Sequence, residues 1–238
     1  MSDIDLYLDS VASYENLQNR RPDYPLAQKA FFDLVSIKFK GRQNINVADF
    51  CCGTGNNTKL VGDHFLINKS SLIDINEKFL DIARNSHIRA LDLVTLESDI
   101  LKVELRPEHD LVISMFAYHH VTDSDKAKYI RIAKDALKKG GILLVGEIYI
   151  PDKETTIIYY EELINETPFN LRTPEYERFL RQTAASDQFE YKVSREFAHN
   201  QLNDAGFQLA PEDAFMIWPK DKRFGQDVGM FVEAWVLG

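Results

Sequence analysis

The sequence is poor in several features that would anchor a protein by covalent or electrostatic means. It has only two cysteines, Cys51 and Cys52, and neighbouring residues seldom reach the Cα spacing a disulfide prefers. No disulfide framework is expected. Nothing basic flanks the two thiols to favour a thiolate, so they read as small buried residues in a turn. The densest pair of metal-ligating residues, His119 and His120, is adjacent, and on a regular strand the two rings would point opposite ways. No metal is expected on that basis. Positive charge is scarce as well: 28 Lys plus Arg stand against 37 Asp plus Glu, a net charge of -9. That balance argues against a general attraction to nucleic acid or to anionic membranes. No apolar run reaches about eighteen residues, and the start, MSDIDLYLDS, lacks the basic and apolar regions of a signal peptide. A soluble, cytoplasmic protein is the expectation.

What is present is a 238-residue chain with 45% apolar residues, enough to bury a substantial core. From Ile45 onward short β-rich runs alternate with helical patterns: INVADF, SLIDI, LVTLES, DLVISMF and GILLVGEIYI. This alternation predicts a parallel sheet with crossover helices. The helices are expected at residues 57–61, 77–85, briefly 100–105, and 123–139, the last stopped by Gly140-Gly141. After Pro151 about sixty residues precede the next β-rich run, far more than a crossover needs. A helical insertion, or lid, is expected at about 152–192, with Thr173 capping a helix that begins at Pro174. Ser194 caps a further helix to about residue 205. The chain closes with AFMIWP and VGMFVEAWVL, close enough to pair as antiparallel neighbours. Residues 1–42 are expected to form an N-terminal helical lid segment and residues 43–238 the main domain.

The chemistry concentrates in VADFCCGTGNNT, residues 47–58. After a buried strand, Gly53 and Gly55 allow a sharp turn and a close approach of backbone N–H groups to a ligand. A dinucleotide fingerprint would place a third glycine at position 58, where this chain has Thr58. That weakens the case for a bound pyrophosphate. Asp74, nineteen residues beyond Gly55, ends the second strand, where a carboxylate can accept both hydroxyls of a ribose. Asp99 follows at the end of the third strand, placed to accept from an adenine amino group while Ile100 packs on the ring. Such a row of edge residues suits an adenosine.

These segments, in the order VADFCCGTGNNTKLV, SLIDINEKFLDIAR, LESDIL, DLVISMFAYHHVTD, LKKGGILLVGEIYIPD, QLNDAGF and the terminal hairpin, resemble the class I S-adenosylmethionine-dependent methyltransferases, in the branch acting on small molecules. The N-terminal YENLQNRRPDYP is similar to that branch's lid segment. The resemblance implies an α/β, Rossmann-like sheet of seven mostly parallel strands with a reversed terminal hairpin, and S-adenosyl-L-methionine across the ends of strands one to four. It matches Asp49, Gly53 and Gly55 to the family's first motif, Asp74 to its ribose acid and Asp99 to its adenine contact. Cys51 stands where the family has its first glycine. Ile75, Ile100 and Met115 complete the expected cofactor rim.

On the acceptor side, His119 and His120 follow the fourth strand at the edge where open α/β sheets place ligands. Either could take a proton from a substrate; capping of the next helix is the bland alternative. Glu147 and Tyr149 share one face of the fifth strand, so Glu147 joins the two histidines as a catalytic candidate. Tyr7, Tyr14, Tyr149 and Tyr160 are candidate substrate contacts, although packing explains the tyrosines equally well. Tyr159, Tyr176 and Phe179 are expected to line a mainly apolar lid cavity, and Arg20 and Arg21 to be exposed unless they meet the cofactor carboxylate. The expected activity is methyl transfer to a small, partly apolar acceptor by in-line displacement. A protein of the same fold doing isomerisation or decarboxylation, or binding only, is the alternative, and a nicotinamide-dependent oxidoreductase a third. The acceptor is not named by the sequence, and no oligomeric state follows from it, a homodimer being one option.

Overall fold

Strand β1 (Asn44–Phe50) is buried on both faces from Val47 to Phe50, as a central strand must be. It pairs in parallel with β2 (Leu66–Asp74) on one side and with β4 (His109–Met115) on the other. With β3 (Ala90–Glu97), β5 (Leu137–Tyr149), β6 (Phe207–Trp218) and β7 (Gly229–Leu237) they form one sheet in the order β3-β2-β1-β4-β5-β7-β6. Only β7 is reversed, antiparallel to both β5 and β6. The strand order turns back between β1 and β4, the point at whose carboxyl edge open α/β sheets place their ligands. This is a computed structural model, and it describes residues 11–187 and 190–238, with side chains from residue 16 onward.

The helices are α1 (Val11–Arg20), α2 (Tyr24–Lys38), α3 (Asn56–Gly62), α4 (Glu77–Asn85), α5 (Lys126–Ala136), α6 (Lys153–Glu166), α7 (Pro174–Ala185) and α8 (Arg195–Asp204). One sheet face is covered by α2 and the insertion α6–α7, which bring Phe31, Leu34, Tyr159, Leu163 and Leu180 into a single core. The other carries α5 and α8, with Tyr129, Ile130, Ala133 and Leu202 against Val112, Leu143 and Trp235. Each such buried side chain contributes about 1.5–3 kcal/mol relative to exposure. Asn76, Asp152, Thr173 and Ser194 each accept a backbone N–H as helix caps, the last two as the sequence pattern requires.

Three elements differ from the expectation. The helix expected over 123–139 is α5 alone, and Gly140-Gly141 lie inside β5, where the register to β4 shifts between His109 and Leu111. The helix ends at Ala136, where the chain turns extended at Leu137 and His109 Nδ1 of β4 lies 3.0 Å from the Ala136 carbonyl. The segment after β3 makes only a 3-10 turn, Ile100–Lys102. Helix α2 lies in the N-terminal segment expected as a helical lid, but it packs into the core: Pro25 opens it, and Ala27, Phe31, Leu34 and Val35 recur on its buried face.

Candidate active site

The loop after β1 is built on left-handed backbone: Cys51 at φ 52°, Gly53 at 53° and Gly55 at 75°. The two glycines serve different ends. A Cβ on Gly55 would lie 2.9 Å from Ile88 Cδ1 and 3.2 Å from Ala83 Cβ, so this glycine lets the loop pack on α4. A Cβ on Gly53 would meet nothing within 4 Å, so Gly53 faces open space. Its N–H donates to Asp74 Oδ2 at 2.8 Å, and the Asn76 N–H donates to Asp74 Oδ1 at 2.9 Å. One carboxylate thus ties the β1 loop to the turn after β2. Burial raises the Asp74 pKa, and the backbone N–H groups work against that rise.

Asp49 lies inside the fold rather than on the rim. Thr58 Oγ1 donates to its Oδ2 at 2.7 Å, and burial, opposed by that bond, pushes its pKa up to about 7. The threonine at the fingerprint's third glycine position therefore has a purpose the sequence did not disclose. Burial also pushes the Cys51 and Cys52 thiols up, with Asp74 and Asp49 adding to it, so neither favours the thiolate.

Along the rim, Ile75 follows Asp74 and is 70% exposed, an apolar side chain left in the open beside a buried acid. Asp99 accepts the Leu101 N–H at 2.9 Å, and Ile100 is buried beneath the turn. Met115 is buried at the end of β4, its thioether lying so close over Gly146 that no side chain could stand there. A cradle with an open glycine, two carboxylates and an exposed isoleucine fits a nucleoside laid on its edge.

At the ends of β4 and β5 the polar groups converge. His119 and His120 occupy a 3-10 turn, Tyr118–His120, not a strand, and their rings meet at 4.2 Å instead of diverging. His119 Nδ1 lies 2.6 Å from Glu147 Oε1, and the His119 N–H donates to Glu147 Oε2 at 3.1 Å. Burial works against the Glu147 charge, but His119 and the Ile148 N–H outweigh it and hold its pKa below the usual range. On the far side of the ring, His119 Nε2 is 3.8 Å from Glu190 Oε2. Glu190 is paired with Lys192, whose ammonium stands 5.3 Å from the Tyr160 ring centre. Burial opposes the charge on Glu190, yet Lys192 and the histidines bring its pKa down to about 2. The Tyr191 N–H donates to the His119 carbonyl at 2.7 Å, so the loop carrying Glu190 and Lys192 is fastened to the histidine turn.

Other expected contacts are placed elsewhere. Tyr149 is buried among Phe231 and His199, and its hydroxyl donates to Glu233 Oε2 at 3.2 Å, in the core on the α8 side. Tyr159 and Tyr176 are packed solid, Tyr159 against Trp218 and Tyr176 with its hydroxyl 2.7 Å from Thr167 Oγ1. Tyr7 lies outside the described residues, and of Tyr14 only the backbone, within α1, is described. Arg21 is buried, not exposed: it makes a two-point pair with Asp23 and stands between the Phe116 and Tyr160 rings. Arg20 donates to Thr173 Oγ1 at 2.9 Å, joining α1 to the insertion. Phe116, at the end of β4, holds φ 57° and stacks on Tyr24 at 5.6 Å. Such strain in a non-glycine residue concentrates at functional sites.

A family model described as a methyltransferase domain matches residues 47–141, from within β1 to the first residues of β5. The chain is 28% identical over 147 residues to an uncharacterised methyltransferase from Bacillus cytotoxicus, a match covering 61% of this chain and 64% of that relative. It thus spans just under two thirds of the relative's length. Among solved structures it is similar to the magnesium protoporphyrin IX methyltransferase of Synechocystis with bound S-adenosylhomocysteine. There the TM-score is 0.61 at 14% identity, over 95% of this chain and 88% of that one. It is also similar to the cyclopropane synthase MmaA2 of Mycobacterium tuberculosis, with a TM-score of 0.62 at 14% identity, over 86% and 82%. The chain shares its fold with S-adenosylmethionine-dependent methyltransferases, and its residues 47–141 match a methyltransferase-domain model.

Within this methyltransferase fold the matched segment holds the cradle and the two histidines, whereas Glu147, Glu190 and Lys192 lie beyond it. A cavity of about 160 Å³ lies between the end of β5 and the α6–α7 insertion, with Glu190 and Lys192 in its wall. A larger one, about 390 Å³, opens at the opposite edge beside Leu66 and Ala90, where β2 and β3 begin. That edge is remote from the strand carboxyl ends, and neither cavity is lined by the loop after β1 or by His119, His120 and Glu147. No helix among the described residues is long and apolar enough to cross a membrane.

Proposed function

We propose that this chain binds S-adenosyl-L-methionine in the cradle after β1 and β2 and transfers its methyl group to a small, partly apolar acceptor. The observation that carries the proposal is the Asp74 carboxylate, which grips the Gly53 and Asn76 N–H groups while Ile75 stays exposed beside it. When bound, the cofactor supplies an electrophilic methyl group on its sulfonium. Asp74 would hold the ribose, Asp99 the adenine edge and the exposed Ile75 a face of the base, while Ile100, buried beneath the turn, would support that edge from below. Gly53 keeps the approach clear.

The acceptor would be received at the end of β4, where His119, His120 and Glu147 present polar atoms under the insertion and Tyr160 supplies an apolar wall. Placement and exclusion of water are the main contributions such a site makes to the rate. Its rigidity supports that role, since Glu147 fixes the His119 ring from one side and the Tyr191 tether fixes its backbone from the other. The test is mass spectrometry of small-molecule extracts incubated with the protein and trideuteromethyl-labelled cofactor. A product carrying the labelled methyl, with S-adenosylhomocysteine released in equal amount, is expected. A cyclopropane synthase shares the fold, and fold alone does not fix the outcome. Conversion of an acceptor without gain of the label would favour the isomerising or decarboxylating alternative.

A further inference from the structure

The ends of β4 and β5 hold a set of side chains that methyl transfer does not by itself require. His119, His120 and Glu190 each offer one ligand atom, and these atoms all lie within 4.8 Å of one another. Two are imidazole nitrogens and one is a carboxylate oxygen, a donor set that suits zinc and its neighbours among the divalent transition metals and not the all-oxygen cages of calcium or magnesium. We propose that His119, His120 and Glu190 form a binding site for a divalent transition-metal ion, with zinc the best-matched, oriented from behind by Glu147.

The feature that lifts this above a chance cluster is the support behind His119. A metal-binding histidine needs one nitrogen deprotonated and aimed, which proteins achieve by engaging the other nitrogen with a carboxylate or carbonyl. Glu147 does so here at 2.6 Å through Nδ1, leaving Nε2 on the side where Glu190 lies 3.8 Å away. The carboxylate is itself fixed by the His119 and Ile148 N–H groups, at 3.1 and 2.7 Å. Glu190 is held opposite by two backbone bonds of its own loop: Tyr191 N–H to the His119 carbonyl, and Ile150 N–H to the Val193 carbonyl at 3.0 Å. His120 is exposed, which gives the ion a path in from solvent. Three protein ligands leave a position open for an acceptor oxygen or water, as in catalytic zinc sites and not in closed structural ones.

Charge permits the ion. Glu147, Glu190 and Lys192 together carry one net negative charge, which the dication would reverse only to one positive. The competitor is the Lys192 ammonium, paired with the carboxylate the metal would use. Removing it should therefore tighten metal binding, whereas a Glu190 that served only its ion pair would gain nothing from that change.

The test uses cobalt(II) as the probe on full-length protein stripped with a chelator, and its readout is independent of cofactor binding. One cobalt per chain is expected, with the visible absorption of a low-coordinate site, displaced by zinc and indifferent to millimolar magnesium. His120→Ala and the double variant Glu190→Gln/Lys192→Met, which removes the carboxylate without stranding the ammonium, should abolish the band while the circular dichroism stays native. Lys192→Met alone should bind cobalt at least as tightly as wild type, and Glu147→Gln about 10- to 100-fold more weakly. His64→Ala, outside the cluster, should bind normally. Absence of the band at excess cobalt, or its survival in His120→Ala or in the double variant, overturns the proposal.

Discussion

Asp74→Asn separates the two duties assigned to this carboxylate. In the native protein its oxygens accept N–H groups from Gly53 and Asn76 at 2.8 and 2.9 Å. The amide keeps one acceptor and turns a donor toward the other N–H, so one tether is lost outright. Leaving a buried donor unmet costs about 1–3 kcal/mol; the Gly53 and Asn76 donors are half-buried, so the melting temperature should fall by an amount set by the lower end of that range. If the same carboxylate also receives a ribose hydroxyl, the ligand loses a charge-assisted hydrogen bond of about 1.5–3 kcal/mol. At about 1.4 kcal/mol per decade that is roughly a 10- to 150-fold rise in Kd. Calorimetric titration with S-adenosylhomocysteine, run well below the melting point of each variant, reads the second effect apart from the first. A variant that melts early yet binds within about threefold of wild type would refute the reasoning, because the acid would then serve only the loop.

Other expectations follow from the same loop. Gly55→Ala drives a methyl to 2.9 Å from Ile88 Cδ1 in left-handed backbone and should cost about 2–4 kcal/mol in a denaturant melt. Gly53→Ala meets no neighbour, so it should cost only about 1–2 kcal/mol while weakening S-adenosylhomocysteine binding more than its stability loss suggests. Cys51→Gly relieves a non-glycine residue at φ 52° and should raise stability by about 1 kcal/mol, read as a shift in denaturant midpoint. Asp49 carries a folded pKa raised to about 7 from an ordinary 3.8, mainly by burial. The folded state then binds the extra proton between those values, so stability should decline as pH rises from about 4 to about 7 and level off above. Asp49→Asn, which preserves an acceptor for Thr58, should flatten that decline when the denaturant midpoint is followed against pH.

Most of the sheet was legible because each strand is a short β-rich run bounded by turn residues, and because a close terminal hairpin forces its last strand to run backwards. The cradle was legible for a related reason: Asp74 ends β2, while Gly53 and Asp99 follow the ends of β1 and β3 by three and two residues, so their places on one edge follow from topology. The separation of roles between Gly53 and Gly55 was not, since it depends on which side of the loop α4 packs, nor was the bond from Thr58 to Asp49. The rigid pair of His119 and Glu147 joins residues 28 apart in sequence, and Glu190 and Lys192 arrive from a loop after the insertion that carries no motif. Tyr149 illustrates the limit of periodicity: it shares a strand face with Glu147, yet the two hydrogen-bond in different directions, one to the histidine turn and one to Glu233.

The central claim is that the edge formed by β1, β2 and β3 receives the nucleoside of S-adenosylmethionine, and a crystal structure with S-adenosylhomocysteine tests it most directly. The ribose hydroxyls should lie within hydrogen-bond distance of Asp74, the adenine against Ile75 and near Asp99, and the sulfur should face the His119 turn. Density for the ligand elsewhere, or a well-ordered crystal soaked at saturating concentration whose edge binds nothing, would contradict the account.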